Sequence, residues 1–168
     1  MDALAKLRTV FKEGGTVTAG NASGINDGAA MLVLANSDQV TAQKLSPMAK
    51  IVSYARCGVP NEIMGIGPVS ASVKALTRAG LTIADMDVIE SNEAFASQAL
   101  SVAEELGLPD DKTNPNGGAI ALGHPIGASG AILLTKAVYE LQRIGGKHAL
   151  VTMCIGGGQG IALIVEAV

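Results

Sequence analysis

Three side chains that can carry proton-transfer or nucleophilic chemistry stand at the ends of apolar runs. Asn92 lies in SNEAFA directly after a predicted strand, His124 lies in GHP before the longest predicted helix, and Cys154 ends ALVTMC. A thiolate is both a base and a nucleophile, a histidine titrates near neutral pH, and an amide can help to bind a polarised oxygen. Because sites in open α/β sheets form where strands give way to loops, we expect the three to converge at one edge of a sheet.

Each of these residues also has a structural interpretation, which the residue types alone leave open. Asn92 fits the N-cap of the helix that follows it. Cys154 fits a small buried hydrophobe, although Gly156 and the two glycines after it favour an uncovered thiol. His124 fits a structural histidine, but the proline that follows restricts it to an extended conformation and so directs its ring.

The stretch GGAIALGHPIGASG, residues 117–130, surrounds the histidine with small and apolar side chains. A loop that only had to turn would use Asn, Asp and Ser freely. Glycines in such numbers indicate that a ligand or another backbone lies close against the loop.

The apolar patterns predict an α/β protein in which one mixed sheet carries helices on both faces. From residue 50 onward the predicted order is β-α-β-α-loop-α-β-β, and the two final strands are joined by the tight connection CIGGGQG. The predicted helices cover 2–12, 37–45, 68–79, 93–106 and 128–144, and the predicted strands cover 29–35, 50–57, 87–90, 149–153 and 161–165.

The composition narrows the classes of partner. The chain has 168 residues, 48% of them hydrophobic, and a net charge of -3, which argues against a nucleic acid or an anionic membrane as partner. No apolar run approaches the roughly 18 residues of a spanning helix, and MDALAKLRTVFKE lacks the apolar region of a secretory signal. Two cysteines without CxxC spacing fit a reducing compartment, so we expect a cytoplasmic protein.

Competing motifs do not match the sequence. GGGQG differs from the dinucleotide fingerprint GxGxxG, and no phosphate-binding GxxxxGK[ST] occurs. Two cysteines and two histidines, Cys57, His124, His148 and Cys154, are present, but none of them forms the short ligand pairs of a zinc site. We therefore expect no metal.

Five motifs together resemble the thiolase family, and within it the biosynthetic acetoacetyl-CoA thiolases. They are GTVTAGNASGINDGAA at 15–30, MGIGPV at 64–69, NEAFA at 92–96, NGGAIALGHPIGASG at 116–130 and CIGGGQG at 154–160. The resemblance covers the C-terminal portion of a family member and implies a layered α/β/α/β/α fold built from two similar halves. Residues 1–46 would be the tail end of the N-terminal half, and residues 47–168 the C-terminal domain.

The resemblance implies an acyltransferase that condenses two acetyl-CoA to acetoacetyl-CoA or runs the reverse thiolysis. His124 would donate to the thioester oxygen together with a water held by Asn92. Cys154 would remove the α-proton, with a pKa lowered by a nearby histidinium or by backbone dipoles. The N–H of Gly156 would contribute to a second oxyanion hole. The coenzyme A thioester is the substrate, and no metal or redox cofactor is implied.

Four further residues acquire roles through the same resemblance. Ser23 would contact coenzyme A, Met64 and Phe95 would form pocket walls, and Glu93 would be a hydrogen-bond partner behind the site. Apart from the resemblance, Ser23 fits a turn serine, and Met64 and Phe95 fit core residues.

The family's acyl-accepting cysteine lies in the first half of the fold, and Cys57 falls at no catalytic position of the family pattern. We therefore expect the isolated chain to be inactive and to self-associate. An alternative is an incomplete thiolase half that binds a partner chain, either an N-terminal half or another copy, or coenzyme A without turnover. A Cys-His hydrolase is disfavoured because no acid stands beside His124 to orient it.

Overall fold

Four strands form one mixed sheet in the computed structural model, which describes residues 2–168. The strands are β1 (Ala49–Gly58), β2 (Val88–Ser91), β3 (His148–Ile155) and β4 (Gln159–Ala167), and their order across the sheet is β1-β4-β3-β2. Strand β4 lies antiparallel to both of its neighbours, β1 and β3, whereas β3 runs parallel to β2. The predicted mixed sheet is confirmed.

Within residues 2–168, the α-helices are α1 (Asp2–Ala5), α2 (Ser37–Ala42), α3 (Gly67–Ala79), α4 (Ala96–Leu106), α5 (Ala119–Leu122) and α6 (Ser129–Ile144), and the 3-10 helices are Asn61–Ile66 and Ile83–Asp85. Helices α1 and α2 precede the first strand and bury no residue. The three long helices α3, α4 and α6 each end at a glycine in the left-handed conformation, which caps the last carbonyls without steric cost. No helix in this part of the chain has the length and apolar character needed to cross a bilayer.

Alternation along β3 builds a separate core on each face of the sheet. Leu150 belongs to the buried cluster that contains Ala75 of α3, whereas Val151 belongs to the cluster that contains Leu133 and Leu141 of α6. Helices therefore cover both faces, as the apolar pattern predicts.

Strand β4 and helix α3 approach each other at two glycines. A Cβ on Gly160 would collide with the backbone of Gly67, the first residue of α3. Gly160 pairs with Cys57 on one side and with Cys154 on the other. Helix α3 therefore begins over the part of the sheet that carries both cysteines.

The predicted helix over 2–12 is wrong beyond its first turn, because α1 ends at Ala5. The chain then turns back on itself, and Val10 N–H donates to the Val17 carbonyl at 3.1 Å. The apolar side chains that would have formed the buried face, Leu4, Leu7, Val10 and Phe11, are all exposed. A helix without a core to cover is marginal at this length.

The strand predicted over 29–35 is also wrong for this chain. Residues 24–36 form no regular secondary structure, and the side chains of Met31 and Val33 are 88% and 90% exposed. A strand needs a neighbour to satisfy its backbone groups, and none of the strands within residues 2–168 pairs with this segment.

Candidate active site

The neighbouring strands β2 and β3 are parallel, so their C-terminal ends lie side by side at one edge of the sheet. Asn92, the residue after β2, is 2% exposed, and its backbone N–H donates to the Thr152 carbonyl of β3 at 3.0 Å. Cys154 lies two residues further along β3, so the strand register places Asn92 and Cys154 at the same end of the sheet.

The side chains of Asn92 and His124 are in contact. The distance from Asn92 Nδ2 to His124 Nε2 is 3.4 Å. Helix α4 begins only at Ala96, and its N-cap, Phe95, makes no side-chain cap bond. The interpretation of Asn92 as a helix cap is therefore wrong, and so is the predicted helix start at 93: the amide of Asn92 faces the histidine ring instead.

Ser129, the first residue of α6, holds the other ring nitrogen of His124. The distance from its Oγ to His124 Nδ1 is 2.6 Å, and the same Oγ lies 3.0 Å from the Pro125 carbonyl. The serine has one hydroxyl proton, so it donates either to the carbonyl or to the ring. In the first arrangement Nδ1 carries the ring proton, and in the second Nε2 carries it and can donate to a substrate.

The neutral form of the ring is favoured. Burial lowers the pKa of His124 below its ordinary value. A neutral imidazole donates from one nitrogen only, so the choice made by Ser129 decides whether His124 Nε2 donates or accepts.

Cys154 is a buried thiol. Its side chain is 8% exposed, and burial raises the pKa of the thiol. Within residues 2–168, no hydrogen bond joins it to His124 or Asn92. The expectation of a lowered pKa is therefore wrong for this chain: desolvation disfavours the thiolate, and burial also favours the uncharged form of His124. Gly156 lies two residues further on, exposed in the turn between β3 and β4.

A polar segment near the N-terminus joins the two loops of the site. Ser23 donates from both its N–H and its hydroxyl to the Ala94 carbonyl, each at 3.0 Å. His124 N–H donates to the Gly24 carbonyl at 3.0 Å and to Asn26 Oδ1 at 3.1 Å. The hydroxyl proton of Ser23, which is predicted to contact coenzyme A, thus already has an acceptor in the chain. Sequence reasoning missed Asn26 because nothing local distinguishes it from an ordinary turn residue.

Glu93 holds the glycine loop from the side of β2. Its carboxylate accepts from the Ile120 N–H at 3.1 Å and from Asn114 Nδ2 at 3.2 Å. A Cβ at Gly118 would collide with this carboxylate. The Glu93 carboxylate therefore makes two demands on the loop. It needs the backbone N–H of Ile120 in α5 as a donor, and it needs a glycine at position 118.

Phe95 forms a wall of an open groove of about 420 Å³. Its ring meets the Phe11 ring edge to face, with centroids 6.0 Å apart. Gln98 also lines the groove, and both of its amide atoms are buried without a hydrogen-bond partner. Met64 is half-buried in the 3-10 helix Asn61–Ile66 and is not one of the groove residues.

Metal-ligating side chains are dispersed. In the described part of the chain, no three side chains of His, Cys, Asp or Glu lie close enough together to hold an ion.

Comparison with known proteins gives matches along almost the whole chain. The family model described as thiolase, C-terminal domain, matches residues 45–167, and that of the thiolase N-terminal domain matches residues 1–38. An acetyl-CoA acetyltransferase of Chromobacterium violaceum is 61% identical over 98% of this chain and 42% of its own length. A β-ketothiolase of Cupriavidus necator is 57% identical over 100% of this chain and 43% of its own length.

Solved structures agree with these matches. The acetyl-CoA acetyltransferase of Bacillus anthracis superposes with a TM-score of 0.95 at 46% identity, covering 99% of this chain and 42% of that one. Human mitochondrial 3-ketoacyl-CoA thiolase in complex with CoA superposes with a TM-score of 0.91 at 49% identity over the same shares. The chain thus spans about 42% of the length of relatives such as these. With this fold and this sequence similarity, the chain belongs to the thiolase family of acyl-transferring enzymes.

Proposed function

We propose that this chain carries the enolate-forming part of a thiolase that condenses two acetyl-CoA to acetoacetyl-CoA or catalyses the reverse thiolysis. The contact between Asn92 and His124 carries the proposal, because it directs an amide and a ring nitrogen to one point at the edge of the sheet. When Ser129 donates to Nδ1, His124 Nε2 carries the ring proton, and this N–H and the amide are two donors that can stabilise the charge developing on a thioester oxygen when an α-proton leaves.

In the condensation, Cys154 as thiolate takes the α-proton of acetyl-CoA, and the C–H electron pair becomes an enolate. His124 Nε2–H and a water held by Asn92 donate to the enolate oxygen. The enolate carbon attacks an acyl group bound to a second cysteine, so that a C–C bond forms and the C–S bond breaks. The N–H of Gly156 stabilises the tetrahedral oxyanion, and the second cysteine leaves as a thiolate. A raised pKa makes the Cys154 thiolate scarce but a strong base.

The groove beside Phe95 is a candidate site for the pantetheine arm of coenzyme A. Its lining combines two phenyl rings with the hydroxyls of Ser97 and Ser101 and with the unpartnered amide of Gln98. An apolar groove with a few polar groups suits a thin arm that contains amides. Contacts of Ser23 and Met64 with coenzyme A stay predictions, as does the domain division at residue 46.

We propose further that residues 1–168 alone do not turn over, because neither Cys57 nor Cys154 stands where the family has its acyl-accepting cysteine. The alternative, a half that binds a partner without turnover, is favoured by the exposed apolar side chains of Ile25, Met31 and Val33. Such surface invites association with an N-terminal half or with another copy. Two free cysteines support a cytoplasmic location.

Deuterium exchange into the methyl group of acetyl-CoA tests the proposal, since enolisation needs no acyl-accepting cysteine. In D2O, with binding followed in parallel by calorimetry, we expect exchange above the buffer rate. Cys154→Ser should abolish the exchange, and Cys57→Ser, the matched control, should retain it. A chain that binds acetyl-CoA without exchanging its methyl protons supports the binding alternative instead. Thiolysis of acetoacetyl-CoA should appear only when an N-terminal half is added, and turnover by the Cys57→Ser chain alone would contradict the need for that half.

A further inference from the structure

A buried ion pair connects the sheet, helix α6 and the glycine loop. Glu90 of β2 is fully buried, and its Oε2 accepts from Lys136 Nζ of α6 at 2.7 Å. The same ammonium donates to the Gly117 carbonyl at 2.6 Å. Gly117 opens the loop that leads to His124, so a single lysine ties the start of this loop to the strand below it.

A second bridge of the same form runs parallel to the first. Asn92 on the sheet side contacts His124 in the loop, which contacts Ser129 on α6. Glu90 and Asn92 are two residues apart, and an extended chain directs such residues to one face. Ser129 and Lys136 are seven apart, two turns of a helix, and therefore lie on one stripe of α6. Strand and helix thus hold the loop at both of its ends.

The loop does not fill all of the space between these two bridges. A cavity of about 30 Å³, large enough for one water, lies against α6 and is bordered by Asn92, Gly118, Gly123, Ser129 and Lys136, among others. The apolar contact between loop and helix is therefore incomplete here, and the polar contacts at the two ends of the loop add to its attachment.

The surroundings of Glu90 disfavour its charged form, and the contact with Lys136 stabilises that form. Burial raises the pKa of this carboxyl, Glu140 and Glu93 raise it further, and Lys136 opposes them. Its Oε1 has no hydrogen-bond partner in the described part of the chain. Glu140 is itself bound by Arg143 and by Asn116 of the loop, so Lys136 is the cation that contacts Glu90.

We propose that Lys136 is a positioning residue, which holds the Gly117 carbonyl and thereby fixes the loop that presents His124. The effect of Lys136 on catalysis rests on the proposed function, in which His124 stabilises an enolate. The position of the loop itself is measurable without substrate, so the two ideas can fail separately.

The test compares Lys136→Met with Lys112→Met in the full chain, using amide hydrogen exchange and ¹⁵N shifts of the histidine ring. Lys112 is a matched control, because its Nζ also donates to a carbonyl, that of Met86 at 2.8 Å, away from the loop. In Lys136→Met, we expect the amides of α5 to exchange at least tenfold faster and the pKa of His124 to rise toward its ordinary value. Amides of β3 and β4 should keep their protection, and Lys112→Met should change neither reading.

If Lys136→Met destabilises the whole chain, the double variant Glu90→Gln with Lys136→Met separates the causes. It removes the buried charge but does not restore the bond to Gly117. We expect the protection of β3 to return while the loop still exchanges quickly. The proposal is overturned if the single variant leaves the loop protected, if the double variant restores that protection, or if the double variant also unfolds.

Discussion

Alkylation of the two cysteines is a direct measure of how burial controls the chemistry of Cys154. At the ordinary thiol pKa of about 8.5, about 3% of a thiol is ionised at pH 7. Burial raises the pKa of Cys154 and leaves its side chain 8% exposed, so its thiolate fraction lies below that value and the reagent has little access. Cys57 is half-buried on β1. We therefore expect iodoacetamide to modify Cys57 first at pH 7, the reverse of what the glycine-flanked sequence suggests.

The pH dependence of alkylation checks the same reasoning. The rate at Cys154 should rise about tenfold per pH unit from 7 to beyond 8.5, because the thiolate fraction does so below the pKa. Peptide mass spectrometry of the chain, with Cys57→Ser and Cys154→Ser as references for each site, gives both rates. Faster modification of Cys154 at pH 7, with a plateau below pH 8, would show that a cation or dipole lowers its pKa and would refute the argument from burial.

Three further outcomes follow from single contacts. Ser129→Ala should convert the ring of His124 from one tautomer to a mixture in ¹⁵N spectra, and an unchanged ring would mean that the serine does not select the proton's position. Gly118→Ala should lower the free energy of unfolding by about 1–3 kcal/mol, since it displaces the Glu93 carboxylate from its charge-assisted bonds; an unchanged denaturation midpoint would contradict this. Hydrogen bonds from an arginine and an asparagine lower the pKa of Glu140 to about 2. Its stabilisation is present above pH 4.5 and is lost as the pH falls toward 2, so the deficit of Glu140→Gln, about 1 kcal/mol at pH 7, should vanish in acid-dependent denaturation curves.

The sequence predicted the secondary structure correctly where the apolar residues of a segment are buried in a core formed by this chain. The strands over 149–153 and 161–165 and the helix over 128–144 were predicted within a few residues of β3, β4 and α6. The segment 29–35 has an equally apolar pattern but remains exposed. Periodicity reports which face of an element seeks burial, and it carries no information on whether a partner is present.

The site was predictable in its residue types and unpredictable in its contacts. SNEAFA and GHP made Asn92 and His124 candidates because sites in open α/β sheets form where strands give way to loops and helices. Ser129, Asn26 and Lys136 gave no comparable signal, since each is an ordinary residue until the fold brings it to the loop. A residue type shows what chemistry a side chain can perform. The neighbours of that side chain in space decide which of its atoms donate or accept hydrogen bonds.

The sequence by itself determined the family and the mixed α/β architecture, because these depend on residue types at fixed spacing, and it predicted which side chains are the reactive groups. Only the tertiary structure decided that the amide of Asn92 faces the His124 ring instead of capping α4. It also decided that burial lowers the pKa of His124 and raises the pKa of the Cys154 thiol. The physical reason is that desolvation and hydrogen bonding act through space, between residues that lie up to 98 positions apart in the chain.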